Sequence, residues 1–280
     1  MSSPTARWRQ PSVLPGFPLA FGLTVTYLGF IVILPLAALV LKPWSLGLAG
    51  VWSALTEPRV LAALRLSFGT SVLAALVDGV LGLIIAWTLV RYEFPGRRLV
   101  DAIVDLPFAL PTAVAGIALT ALYAPTGPLG ALAAKFGLKT AYSPLGIFIA
   151  LLFIGLPFVV RAIEPVLQEF DREVEEAART LGASDFQRIR QVVLPALAPA
   201  WISGVTLAFA RAVGEYGSVI FIAGNMPMRT EIAPLLIVIK LEEFDYAGAA
   251  AVGVAMVVIS FGSLLAINDL QAYLAQRGRA

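Results

Sequence analysis

Four ionisable side chains fall inside apolar stretches long enough to cross a membrane: Asp78, Asp105, Arg211 and Glu215. A charge at membrane depth is costly and faces a bundle interior or a water-filled path. Arg211 and Glu215 are four residues apart, which puts them on one helical face within pairing reach. Arg211 has two readings. It attracts an anion along a path, or it neutralises Glu215 or an aspartate on a neighbouring helix. The second is preferred, because three negative charges and one positive make a poor equilibrium anion site. Covalent and metal chemistry are poorly supplied. The 280 residues include no His and no Cys, which removes the commonest general base, the commonest metal ligand and any thiolate. There is no HExxH, no GxSxG and no GxxxxGK[ST] run, so the chain encodes no zincin, nucleophile-elbow hydrolase or P-loop ATPase motif. No catalytic residue and no metal site is expected.

The elements that would hold these charges are transmembrane helices. Hydrophobic residues make up 59% of the chain and charged residues 14%, with a mean hydropathy of +0.86. A soluble domain is about one quarter charged. A spanning helix needs about 20 mostly apolar residues. Six stretches qualify: residues 18–41, 66–90, 102–123, 144–163, 198–223 and 247–267. The expected fold is an all-α bundle of six transmembrane helices. The first stretch follows Arg7 and Arg9 but exceeds the about 7–15 apolar residues of a signal peptide, so it is read as a retained span. Residues 46–64 carry Leu48, Val51, Trp52, Leu55 and Val60 and read as an amphipathic surface helix. Pro107, Pro111, Pro157 and Pro199 are expected to bend their spans. Residues 126–130 and 224–227 read as outer turns.

Lys and Arg placement gives an orientation. With the N-terminus in the cytoplasm, twelve of the 20 Lys and Arg lie on the cytoplasmic side, seven outside and Arg211 within a span. The expected layout is a cytoplasmic tail at 1–17, the transmembrane bundle at 18–270 and a cytoplasmic tail at 271–280. The outer segment 224–246 has two open readings. It touches an external protein, or it is a re-entrant or interfacial helix that holds Leu235, Leu236, Ile239 and Leu241 in the bundle.

One cytoplasmic connection, residues 164–195, is far more polar than its surroundings. It reads as two short helices. The first runs over about 171–181, with acidic residues in its first turns, where the helix dipole favours them. Gly182 suits its C-terminal cap. Ser184 and Gln187 have capping-box spacing and open a second helix that runs to about Val193 and is ended by Pro195. Val174, Ala177, Ala178 and Leu181 form one apolar stripe, and Phe186, Ile189 and Val193 another. Patterning alone leaves two readings: a surface hairpin packed on its own bundle, or a docking element with small residues that admit a partner.

The run Glu176-Ala177-Ala178, then Gly182, then Val192-Val193-Leu194-Pro195 resembles the EAA motif of binding-protein-dependent ABC importer permeases. That pattern is Glu-Ala-Ala, three residues, Gly, nine residues, then Ile-x-Leu-Pro. Val192 in place of Ile is the single departure. The resemblance implies that the loop forms a coupling helix docked on a separate ATP-binding subunit, with Glu176, Ala177, Ala178, Gly182, Leu194 and Pro195 in or beside that region. Residues 209–225 (FARAVGEYGSVIFIAGN), 241–246 (LEEFDY) and 105–116 (DLPFALPTAVAG) resemble T-type permease subunits of bacterial sulfate/thiosulfate transporters, and molybdate permeases share weaker versions.

This resemblance covers about residues 12–270. It implies a homologous W-type permease partner, a dimer of ATP-binding subunits and a periplasmic sulfate- or thiosulfate-binding protein. ATP and Mg would sit on the partner ATPase, with no cofactor on this chain. Nucleic acid is not an expected partner. The alternatives are a permease for another oxyanion such as molybdate, and a stand-alone secondary anion transporter, which has no reason to carry an EAA loop.

Overall fold

Proline sets many of the helix starts, because its missing N–H and fixed φ suit the first helical positions. The computed structural model describes residues 16–277, with side chains to residue 269. The expected N-terminal tail therefore lies outside the described residues apart from Gly16 and Phe17, as do Arg7, Arg9 and Arg279. All regular elements among the described residues are helical. Helix α1 spans residues 17–41, as Phe17–Leu28, a π turn at Gly29–Ile33 and Leu34–Leu41. A 3-10 turn at Lys42–Leu46 leads to α2, Gly47–Thr56. Helix α3 is Pro58–Arg91. Then follow α4, Arg97–Val104, α5, Leu106–Ala109, α6, Thr112–Tyr123, and α7, Pro128–Ala134. Helix α8 is Pro144–Glu169 and α9 is Arg172–Thr180. Helix α10, Asp185–Val213, contains a π turn at Ile189–Val193. Helices α11, Val219–Ile222, α12, Ala233–Glu242, and α13, Tyr246–Arg277, complete the chain.

Five described helices are long and apolar enough to cross a membrane, and a sixth is obtained if α6 and α7, bent by 46°, form one span. The order of spans follows the sequence reading, but several boundaries move. The third expected span, 102–123, is broken at Asp105 and again at Leu110–Pro111. Leu110, ahead of Pro111, is pushed into extended geometry with ψ of 133 degrees. The fifth, 198–223, stops at Val213, and residues 214–218 are not helical. The expected amphipathic helix at 46–64 is interrupted at Glu57, whose ψ of 129 degrees ends α2. Val60 therefore belongs to α3 and is fully buried, while Leu48 and Trp52 are exposed. The last helix continues through residues 271–277, where a tail was expected.

Pro195 does not end the second loop helix. The π turn moves the bonding one residue along, so Leu194 N–H donates to the Ile189 carbonyl. A proline ring in an α-helix clashes with the carbonyl four residues back, and a π turn ahead of it relieves that clash. The same device precedes Pro35 in α1, where Leu34 N–H donates to Gly29. The loop helix and span five are thus one continuous helix.

Helix α8 lies between α3 and α10 and forms the centre of the molecule. Two glycines permit the approach. A Cβ at Gly82 would lie 2.7 Å from Val159 Cβ, and one at Gly204 would lie 2.9 Å from Val159 Cα. Small residues at helix contacts are the usual means of close packing in lipid, where the hydrophobic effect does not favour helix association. Val159, Val160, Ile163, Val193 and Leu197 fill the core toward the polar loop, and Ile147, Leu151, Ile222 and Leu235 fill the opposite end. Helix α1 has no buried residue.

Candidate functional site

The polar loop is built by local rules. Asp171 caps α9 by accepting from Glu173 N–H at 2.9 Å, and Glu173 and Glu175 occupy its first turn. Gly182, at φ of 87 degrees, closes it. Gly182 N–H donates to Arg179 O at 2.9 Å and Ala183 N–H to Ala178 O at 3.0 Å, the two bonds of a Schellman cap. Ser184 and Gln187 form a reciprocal capping box at the start of α10.

The outward face of this hairpin is apolar. Leu181 is 88% exposed, Phe186 70% and Val174 47%. Glu176, Ala177 and Gly182 are also exposed. The inward face carries charge. Glu175 is buried, and its carboxylate accepts from the Arg91 guanidinium at the end of α3. Its other oxygen lies 3.4 Å from Arg188 Nε in the first turn of α10. Arg91 also lies over the Trp87 ring, 5.3 Å from its centroid, and Arg188 pairs with Asp185 at 3.3 Å. Of the EAA residues, Glu176, Ala177, Ala178 and Gly182 are brought together on α9 and its cap. Leu194 and Pro195 stand apart, at the π turn within α10.

The intramembrane candidates do not form one cluster. Asp78 is 1% exposed on α3, and neither carboxylate oxygen has a hydrogen-bond partner among the described residues. It fits because α8 has Gly155 opposite it. Asp105 sits at the break between α4 and α5 and receives two bonds from Arg161, at 2.8 and 2.6 Å. Arg161 also pairs with Asp101 at 2.8 Å and with Glu164. Arg211 pairs with buried Glu215 at 2.5 Å. Glu215 further accepts from Ser218 N–H at 2.9 Å and Ser218 Oγ at 3.0 Å. Its carboxylate is thus committed inside the break between α10 and α11. That break packs on α6, since a Cβ at Gly116 would meet the Ser218 backbone. No group of three His, Cys, Asp or Glu among the described residues could hold a metal ion.

At the opposite end, Arg59 grips buried Glu231 through two bonds of 2.8 Å. Ser67 Oγ accepts from Ala233 N–H at 2.8 Å, and Leu235 and Leu236 are buried. Segment 224–246 is therefore docked on its own bundle through α12, with Leu241 left exposed. The sequence reading missed Glu175, Arg188, Arg161, Arg59 and Glu231 as pairing residues. Arg161 and Asp105, Arg91 and Glu175, and Arg59 and Glu231 are 56, 84 and 172 positions apart, which leaves no periodic signal.

Residues 79–279 match the family described as the binding-protein-dependent transport system inner membrane component. The chain belongs to this family. It is a multi-pass membrane component of a transport system. It is 47% identical to the sulfate transport system permease protein CysT of Synechocystis sp., over 97% of this chain and 95% of that protein. It is 46% identical to the protein of the same name from Escherichia coli, over 95% of this chain and 96% of that protein. The fold is similar to a chain of a bacterial alginate ABC transporter crystallised with an alginate pentasaccharide-bound periplasmic protein. That likeness has a TM-score of 0.74 at 17% identity, over 91% of this chain and 93% of that one. An inward facing MetNI methionine ABC transporter gives a TM-score of 0.59 at 18% identity, over 77% and 96%. These two likenesses concern the fold alone.

Proposed function

We propose that this chain is the T-type permease subunit of an ATP-driven sulfate/thiosulfate importer. The name of the curated relatives supports sulfate as the substrate, and the outward apolar face of the hairpin supports the coupling. Leu181 and Phe186 present large apolar surface beside a bundle that spares no core for them. Arg172, Arg179 and Glu176 share the same short hairpin and remain exposed, which keeps it out of the hydrocarbon core. A protein groove would cover the apolar face. In this reading the groove belongs to a separate ATP-binding subunit, present as a dimer with ATP and Mg on it. This chain is non-catalytic and holds no cofactor.

A homologous W-type permease completes the pathway, and a periplasmic sulfate- or thiosulfate-binding protein delivers the anion. The membrane is the bacterial inner membrane, with both termini cytoplasmic. Residues 1–17 and 271–280 would flank the permease domain at 18–270. Arg211 already serves Glu215, so it supports assembly of the break at 214–218 in preference to capturing the anion. An importer supplied by a binding protein gains nothing from a tight site along its path, since the anion must leave it.

The test is uptake of radiolabelled sulfate into proteoliposomes, with each of the four components present or omitted. Uptake that requires ATP and all four supports the reading. Phe186→Asp should then strip the ATPase from the purified complex without affecting insertion. Sulfate movement down its gradient through this chain alone, without ATP, would overturn it.

A further inference from the structure

We propose that Glu175 is a positioning residue, and that with Arg91 and Arg188 it forms a clasp delivering movement of α9 to α3 and α10. The proposal rests on the docking reading above and names the link inside this chain that docking requires. Helix α9 has nine residues, and its backbone packs chiefly on the start of α10. Its apolar side chains point away from the bundle. A partner that moves such a helix would tilt it freely unless something ties it sideways.

Glu175 supplies that tie. Its side chain and those of Arg91 and Arg188 are each 12–13% exposed, so the three charges face one another with little water between. One carboxylate serves two guanidinium groups that belong to different helices. Arg91 occupies the last turn of α3, where Trp87 one turn earlier supports its guanidinium. Arg188 occupies the first turn of α10 and is steadied by Asp185. Both helices pack on α8, so the clasp joins the loop ends of two of the three central helices.

The physical case rests on direction. Apolar contacts slide with little resistance, whereas the Arg91–Glu175 hydrogen bond is directional and holds its geometry, and Arg188 adds charge attraction at 3.4 Å without a hydrogen bond. Burying three charges costs desolvation that an apolar trio of the same size would avoid. Their presence at the root of this exposed hairpin fits a role in orientation. A pull on α9 is then shared between α3 and α10 together.

The experiment uses the reconstituted complex of this chain with the second permease, the ATPase and the binding protein. It reads three quantities: ATPase co-purification, ATP hydrolysis, and sulfate imported per ATP. Glu175→Gln should retain the ATPase and continue hydrolysis while sulfate per ATP falls about tenfold, within the range seen when coupling residues are changed. Glu175→Asp should recover part of the ratio. A residue serving stability alone would lower the amount of complex and leave that ratio unmoved. If Glu175→Gln does not insert, Arg188→Gln, which leaves the Arg91 contact, should lower the ratio in the same direction. An unchanged ratio in the inserted variants overturns the proposal, as does loss of the ATPase from the complex. Phe186→Asp separates the two claims. If it strips the ATPase while Glu175→Gln transports normally, only the clasp fails. If it leaves ATPase and uptake intact, the docking reading fails and the clasp with it.

Discussion

Replacing Arg59 by Gln should destabilise the protein far more than replacing its partner Glu231 by Gln. The Glu231 side chain is 1% exposed and that of Arg59 is 30% exposed. The two meet through a fork of two 2.8 Å bonds. Removing one member of a fully buried pair costs about 3–5 kcal/mol, because a charge is left without compensation. Arg59 keeps contact with water at the rim, which discounts the pair, so Arg59→Gln is placed at about 2–3 kcal/mol. Glu231→Gln removes the buried charge itself and leaves Arg59 free to bind water, at about 1 kcal/mol for the altered hydrogen bonds. At about 2–4 °C per kcal/mol for a chain approaching this size, the midpoints fall by about 4–12 °C and about 2–4 °C. The assay is thermal unfolding in detergent, followed by tryptophan fluorescence and by the monodisperse fraction. Equal shifts, or a larger shift for Glu231→Gln, would refute the reasoning, since both outcomes deny that the stranded carboxylate carries the cost.

Three further outcomes are expected. Gly204→Val places a Cβ within 2.9 Å of Val159 Cα and 3.0 Å of Ala162 Cβ, so α8 and α10 must separate at about 1–3 kcal/mol; the yield of monodisperse protein should fall, and an unchanged yield would mean the helices are further apart. Arg211→Gln leaves buried Glu215 with only its Ser218 bonds; assembly should drop several-fold for a loss of about 2 kcal/mol, while sulfate uptake per inserted molecule stays near normal. Abolished uptake with intact assembly would give Arg211 a direct role in the path. Asp78→Asn removes a carboxylate that has no hydrogen-bond partner and should not lower the thermal midpoint; a drop of several degrees would reveal a partner that Asp78 acquires in another state of the cycle.

The sequence by itself determined whatever depends on short-range pattern. Runs of apolar residues placed the spans, because the bilayer demands about 20 such residues in a helix. Asp171, Gly182 and the Ser184–Gln187 pair announced the hairpin, because caps satisfy backbone groups within a few residues of themselves. Arg211 and Glu215 could be paired from their four-residue spacing, which keeps them within reach although the helix itself stops at Val213.

What the tertiary structure decided lies across the chain or against the pattern. Pro195 reads as a stop, yet a π turn carries the helix through it, and no residue type announces a π turn. The breaks at Asp105 and at 214–218 fall inside stretches that hydropathy reads as continuous spans; the first is tied to α8 through Arg161, and the second packs on α6 at Gly116 and Thr112. The apolar stripe of α9 alone does not tell which way it faces. Helical periodicity fixes angles about one axis and leaves the rotation of that axis against the bundle free. That rotation was settled by Glu175, one of three glutamates within four residues of α9, whose arginine partners stand at the ends of two other helices. Ion pairs of this kind depend on where distant helices end in space, and a single sequence carries no record of that.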